Sequence, residues 1–199
     1  MQVNFERSLA NVLESEGGYS NDPHDPGGAT MWGIIQSEYN LYRKSKGLQA
    51  KSVSLISTDE CRAIYKSNYW DAVSGDLLPS GMDYCVFDFA VNSGVHRALS
   101  YLHGMDPDLS GPLEIDDYCN GRLAFLQRLH TWRFFGKGWS IRVEKVRKIA
   151  KEMMAPQLAV AHTAMQPRSI INELNPLRVS DNGITELEKA KEAPAKDAP

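Results

Sequence analysis

The sequence predicts an all-α, or mainly α, fold with at most one short β-hairpin, and three observations carry that expectation. Apolar residues recur at helical spacing in one segment after another along the 199 residues. No stretch shows the strict apolar–polar alternation of a half-buried strand. Glycine and proline gather between the segments, most densely from Gly17 to Gly33, where they fix a particular backbone path.

Taken in order, Phe5, Leu9, Val12 and Leu13 fall at i, i+4, i+7 and i+8, with Asn4 placed to cap their helix. Gly17 and Gly18 supply the left-handed residue that ends helices, so this first helix is expected to run to Glu16. Any hairpin is expected between Asn21 and Ile35. Ile34 to Lys46 reads as a second helix, closed by Gly47. Ser57-Thr58-Asp59-Glu60 is a capping box and opens a third helix, through Trp70.

After Pro79-Ser80-Gly81, the apolar run from Met82 to Val91 is long enough for a buried central helix, broken at Asn92-Ser93-Gly94. Val95 to Leu102 resumes as helix, and Gly104 to Glu114 reads as a loop. Asp116 or Asp117 is expected to cap a helix through Phe135 that ends at Gly136-Lys137-Gly138. Ser140 then caps a last helix to about Met154, limited or kinked by Pro156. Beyond Gln166 the pattern decays into a polar tail, expected to be disordered.

Composition narrows the function. Apolar content of 42% is that of a globular chain. A net charge of −3 argues against a nucleic-acid partner, which calls for a strong basic excess. Between Gly121 and Lys151 the balance reverses, with nine Lys/Arg against one acid, Glu144. That segment reads first as a solvated helix face and second as a surface for an anionic polymer.

Cys61, Cys85 and Cys119 are expected as buried free thiols, and the histidines form no metal motif; no metal or cofactor is called for. The N-terminal residues lack the basic flank and apolar run of a secretory signal, and no window has the apolar length of a membrane span. The chain is therefore expected to be made in the cytoplasm without membrane insertion, and to act as a monomer.

The chemistry concentrates in the stretch from Glu16 to Gly33. Glycoside hydrolysis needs two carboxyl groups in differing surroundings, one to protonate the leaving oxygen and one ionised. Glu16, at the end of a helix with an apolar inner face, suits the proton donor. Asp22 and Asp25 lie in a turn-rich, more solvated loop that suits the ionised partner, and the Thr30 hydroxyl is placed to orient water.

Glu16-Gly17-Gly18-Tyr19, Asn21-Asp22-Pro23, Asp25-Pro26-Gly27-Gly28, Thr30 and Gly33-Ile34 resemble the signature of glycoside hydrolase family 108, lysozyme-like N-acetylmuramidases of phages and bacteria. Phe87 to Gly94, with Gly121-Arg122-Leu123 through Trp139, is similar to the peptidoglycan-binding region that follows in that family. The resemblance, over about residues 5–165, implies a lysozyme-like fold, and the expected organisation is a catalytic region at residues 1–81, a helical peptidoglycan-binding region at 82–165 packed on it and, from composition, a largely disordered tail at 166–199. It implies hydrolysis of the β-1,4 bond between N-acetylmuramic acid and N-acetylglucosamine, with Glu16 as general acid.

Phage-type lysozymes place an Asp nine positions after the Glu, and then a Thr before a Gly. Glu16, Asp25 and Thr30 follow that order, which favours Asp25 as the water-activating carboxylate and an inverting outcome, with Asp22 in reserve.

Sugars present C–H faces to aromatic rings and hydroxyls to amides. Tyr19, Trp32, Trp70 and Trp139, with Asn92 and Ser93 at the helix break, are the expected substrate contacts. Asp88 is expected as a buried hydrogen-bonding group and Arg122 as the partner of an Asp across the core. The expected setting is a phage endolysin released through a holin, or a wall-remodelling enzyme carried by a secretion system. A lytic transglycosylase on the same fold and a non-catalytic peptidoglycan-binding protein are the alternatives.

Overall fold

The structure, a computed structural model, describes residues 2–21, 28–106 and 108–161. Its centre is helix α4 (Met82–Ser93), whose residues from Met82 to Val91 are all buried. A helix buried around its whole circumference has no face to give to water, and the rest of the chain wraps it. Helices α1 (Gln2–Leu13), α5 (Val95–His103), α6 (Pro112–Gln127) and α7 (Trp132–Ala161) all pack against α4.

Between α1 and α4 lie a two-stranded hairpin, β1 (Thr30–Met31) and β2 (Ile34–Ile35), and helices α2 (Gln36–Ser45) and α3 (Thr58–Tyr65). The fold is all-α and lysozyme-like, with seven α-helices and this one antiparallel hairpin among the described residues.

Aromatic packing locks the N-terminal elements to the centre. Phe5 of α1, Phe87 of α4 and Trp70, which ends a π-helical turn after α3, meet edge-to-face with centroids 5.3 to 6.0 Å apart. Edge-to-face geometry sets the positive rim of one ring against the negative face of another. The expected capping box is present: Ser57 N-caps α3, with Glu60 and Ser57 exchanging hydrogen bonds. All three cysteines are buried and free.

Several element ends differ from those expected. α1 stops at Leu13, because the amides of Ser15 and Glu16 turn back to Val12 and Leu13 in tighter i→i−3 bonds. Ile34 and Ile35 join the hairpin, so α2 begins at Gln36. α6 starts earlier than Asp116, with Pro112 at its first position, where a missing amide hydrogen does no harm.

The largest difference lies at the last turn of the chain's path. Gly136-Lys137-Gly138 does not end a helix; α7 runs straight through it and through Pro156. The reversal comes at 128–131 instead, where the Thr131 carbonyl accepts from the amides of Phe134 and Phe135. Thr is a favoured residue at a helix start. No helix among the described residues is long and apolar enough to cross a membrane.

Candidate active site

Glu16 sits in the turn after α1, and three elements converge on its side chain. From α7, Arg142 donates from Nη1 to Oε1 at 3.0 Å. From the hairpin, Gly33 comes so close that a Cβ added there would stand 2.8 Å from Oε2. The same Cβ would stand 3.0 Å from the hydroxyl of Tyr65, at the end of α3. The Glu16 side chain keeps 21% of its surface exposed, enough for a ligand to reach it.

The hairpin is built for this approach. Thr30 pairs with Ile35 and Met31 with Ile34, leaving Trp32 and Gly33 as a two-residue turn with φ of +50° and +73°. Positive φ at both central positions suits the right-handed twist of the strands. Gly33 adopts it freely, whereas Trp32 is a bulky residue in a region that L-residues avoid. The Tyr65 hydroxyl donates to the Trp32 carbonyl at 2.7 Å and helps hold that strained turn. Burial first, and then the nearby Glu16 carboxylate, push the Tyr65 hydroxyl well above its ordinary pKa, so it stays a donor.

Arg142 is itself held from behind. Asp88, in the middle of α4, accepts from its Nε at 3.1 and 3.2 Å and from its Nη2 at 3.0 Å. Asp88 also accepts from Arg122 of α6 at 2.6 Å, and Arg122 reaches Asn92 at 3.2 Å. The four charges alternate as Glu16, Arg142, Asp88 and Arg122.

Burial alone would raise the Asp88 pKa, but the Arg122 and Arg142 charges outweigh it and hold the carboxyl below its ordinary range. Burial likewise works against the Arg142 charge, and Asp88 and then Glu16 more than offset it. A charge of 1% exposure such as Asp88 persists only when paired in this way.

The glycosyl hydrolase 108 family profile matches residues 9–94, the segment that carries Glu16, the hairpin, Tyr65 and Asp88. A solved structure titled "Structure of Brucella abortus SagA" is 34% identical, with a TM-score of 0.65 over 77% of this chain and 97% of that one. The chain belongs to the glycosyl hydrolase 108 family. No curated protein matches it. As a family 108 member it is a glycoside hydrolase, of the lysozyme-like kind that acts on peptidoglycan.

In this family 108 hydrolase the expected site residues are distributed unevenly. Thr30 lies on β1, and its amide and carbonyl pair with those of Ser20 at 2.8 and 3.0 Å. Asp22 and Asp25 fall between these partners and lie outside the described residues. Tyr19 is exposed and Trp32 half-buried. Trp139 is half-buried on α7, one turn before Arg142. Asn92 and Ser93 stand at the far end of the charge chain: Asn92 accepts from Arg122 and from the Ser93 hydroxyl.

Trp70 is a correction. It is fully buried among Phe5 and Phe87, with its indole nitrogen donating to Asp76 at 3.1 Å, which removes it from any sugar-contacting surface.

The basic stretch from Gly121 to Lys151 also differs from a free basic face. Arg122 and Arg142 turn inward to Asp88. Lys145 pairs with Glu14, and Arg147 and Lys151 pair with Asp116. Pairing neutralises much of the field that an anionic polymer would meet.

Arg142 and Tyr65 are the site residues that sequence reasoning missed. A signal for Arg142 was present, because it stands at i, i+4, i+7 and i+11 with Val146, Ile149 and Met153, a charge on an apolar stripe.

Proposed function

We propose that the protein is an N-acetylmuramidase, cleaving the β-1,4 bond between N-acetylmuramic acid and N-acetylglucosamine in peptidoglycan, with Glu16 as general acid. The observation that carries this reading is the setting of Glu16. It is a carboxyl group partly open to solvent, held by Arg142 of α7 and lying close against Gly33 of the hairpin, in a chain of the glycosyl hydrolase 108 family.

In the proposed step the Glu16 carboxyl gives its proton to the glycosidic oxygen as the C–O bond breaks. Negative charge then develops on Glu16, and the Nη1–H of Arg142 is already 3.0 Å from Oε1 to receive it. A charge-assisted hydrogen bond that strengthens as charge develops favours the transition state over the ground state. Asp88 takes the remaining contacts of the guanidinium, so Arg142 does not have to reorient during the reaction. Asp25 activates the incoming water, and the Thr30 hydroxyl orients it. Inversion follows if the Glu16 and Asp25 carboxyl groups stand about 6.5–9.5 Å apart, leaving room for that water.

The proposed partner is the glycan strand, and the proposed setting is the periplasm or cell wall, reached as a phage endolysin through a holin or by a dedicated secretion system.

The test is digestion of purified peptidoglycan by the wild-type, Glu16→Gln and Asp25→Asn proteins, with mass spectrometry of the muropeptides. New reducing N-acetylmuramic acid ends from the wild type, lost in both variants, support the reading. Anhydro-muramyl ends assign a lytic transglycosylase instead, and no products from the wild type leave a binding protein.

A further inference from the structure

Two of the cysteines stand face to face inside the molecule, where the catalytic reading leaves them unused. Cys85 of α4 and Cys119 of α6 are both buried, and their sulfurs lie 3.9 Å apart across 34 residues of sequence. At that distance the two sulfurs are in contact. Closing to a bond of about 2.05 Å takes a turn about the Cα–Cβ bonds, with the two helices already packed together.

The pair belongs to one seam. Asp88 lies three residues on from Cys85 along α4, and Arg122 lies three on from Cys119 along α6, so each is one turn away on the same face. Asp88 and Arg122 meet at 2.6 Å. Their sequence neighbours Phe89 and Tyr118 pack edge-to-face, with centroids 6.0 Å apart. These contacts fix α6 on α4, so the fold itself holds the two sulfurs together.

The thiols are unequal. A hydrogen bond from Cys85 comes first in holding the Cys119 thiol below its ordinary range, and with the Arg147 and Arg122 charges it outweighs burial. The same bond, and then burial, push Cys85 well above its own. Cys119 is therefore the readier thiolate, the species that attacks a disulfide. Cys61, on α3, is pushed up to about 12 by burial and then by the Glu38 charge, and stays a thiol.

We propose that Cys85 and Cys119 are a redox modification site, two thiols that join as a disulfide and staple α6 to α4 in an oxidising compartment. The oxidant is a small-molecule disulfide. Cys119, having lost its proton to water, attacks one sulfur of it, expels a thiolate and is left in a mixed disulfide. Cys85, deprotonated in turn, attacks the Cys119 sulfur and expels the second thiolate. Two electrons and two protons pass from the cysteines to the oxidant, which leaves as two thiols. Because both cysteines are buried, the exchange proceeds before α6 has docked or as it lifts from α4. The bond then ties down the seam whose Asp88 holds Arg142 on Glu16. Such bonds persist outside the reducing cytoplasm, and only that choice of compartment rests on the hydrolytic reading above.

The test divides the full chain between a reducing buffer and one containing glutathione disulfide. Free thiols are then blocked with iodoacetamide under denaturing conditions. Peptide mass spectrometry is expected to show Cys85 linked to Cys119, and Cys61 alkylated. The oxidised chain is expected to melt about 5–15 °C above the reduced one, since the cross-link restrains a long loop of the unfolded chain. Cys61→Ser is expected to keep both the linked peptide and the shift. Cys119→Ala is expected to lose both, its oxidised and reduced samples being compared with each other.

Alkylation of all three cysteines after oxidation overturns the proposal. So does glutathione held on a cysteine with no internal link. A linked peptide that leaves the melting temperature unchanged or lower overturns it as well, because the bond then forms only in chains that have lost the native seam. Muropeptide release is scored apart. A chain that makes the bond and cleaves nothing keeps the staple and loses the hydrolytic assignment, and a cleaving chain with no bond does the reverse.

Discussion

Arg142 reaches across 126 residues of sequence to hold Glu16 at 3.0 Å, and it does so while Asp88 holds it in turn. The proton-donating carboxyl of the proposed mechanism is thus tied to the central helix through one guanidinium. Fold and site share a single set of hydrogen bonds, so a change at Arg142 acts on both.

Replacing Arg142 by Ala strands Asp88 with only Arg122 for a partner and leaves Glu16 without its donor. Removing one partner of a buried pair destabilises by about 3 kcal/mol or more. Arg142→Lys is the sharper variant. Lysine keeps the charge but has no planar fork with which to serve Asp88 and Glu16 together. The expected outcome is a larger loss in kcat than in stability for Lys, and a large loss in both for Ala. Urea unfolding alongside muropeptide release checks it, and wild-type kcat in Arg142→Lys refutes the coupling.

Gly33→Ala tests the close approach of the hairpin. The added methyl would stand 2.8 Å from Oε2 of Glu16, at a residue whose φ is +73°. Either the turn or the carboxyl group has to move. Destabilisation of about 1–2 kcal/mol is expected from the backbone conformation alone. Displacing the proposed proton donor by a fraction of an ångström is expected to lower kcat by about tenfold to a hundredfold. Equal loss of kcat and gain of KM would point to a distorted binding cleft instead.

Tyr65→Phe isolates the hydrogen bond behind that turn. The ring stays in the core and only the 2.7 Å bond to the Trp32 carbonyl is lost. A drop of about 1 kcal/mol in unfolding free energy is expected, the net worth of one such bond. The measurement is denaturant unfolding at constant m-value.

What the sequence revealed and what it hid follow from the range of the interactions. The Ser57–Glu60 capping box, the buried run of α4 and the Glu16-to-Gly33 loop motif are local patterns, and local patterns are legible. Asp88 stands out as a charge inside an apolar run and Arg122 as the partner of some Asp across the core, but that these two belong together is visible only in the structure. Arg142 was lost among eight other basic residues, because its partners lie on α1 and α4, far away in sequence.

Gly136 and Gly138 read as a helix stop because glycine usually serves that end. Their actual setting depends on the Trp132 ring and on an open surface, neither of which a one-dimensional pattern contains. Trp70 shows the converse. Tryptophan suits a sugar platform and a core equally well, and only its packing against Phe5 and Phe87 separates the two.

The Asp88 pairs also set how the fold responds to acid. Burial acts to raise the Asp88 pKa, but Arg122 and Arg142 prevail and hold it below its ordinary value of 3.8. A carboxylate depressed in the folded state contributes stability that is complete above the unfolded value. That contribution is lost as pH falls from there through the folded value.

Asp83 runs the other way. Burial raises its pKa despite hydrogen bonds from Asn4, Gly81 and Tyr84, so its contribution is present below the unfolded value and fades as pH rises through the folded one. The wild-type urea midpoint is therefore expected to fall steeply below about pH 4. Asp83→Asn is expected to keep that acid limb. Asp88→Asn is expected to flatten it while lowering stability at neutral pH by about 3 kcal/mol, because Arg122 is then buried without a counter-charge. An acid limb in Asp88→Asn as steep as that of the wild type would assign the transition to other carboxylates, with Glu60 and Asp116, both also held below their ordinary values, next in line.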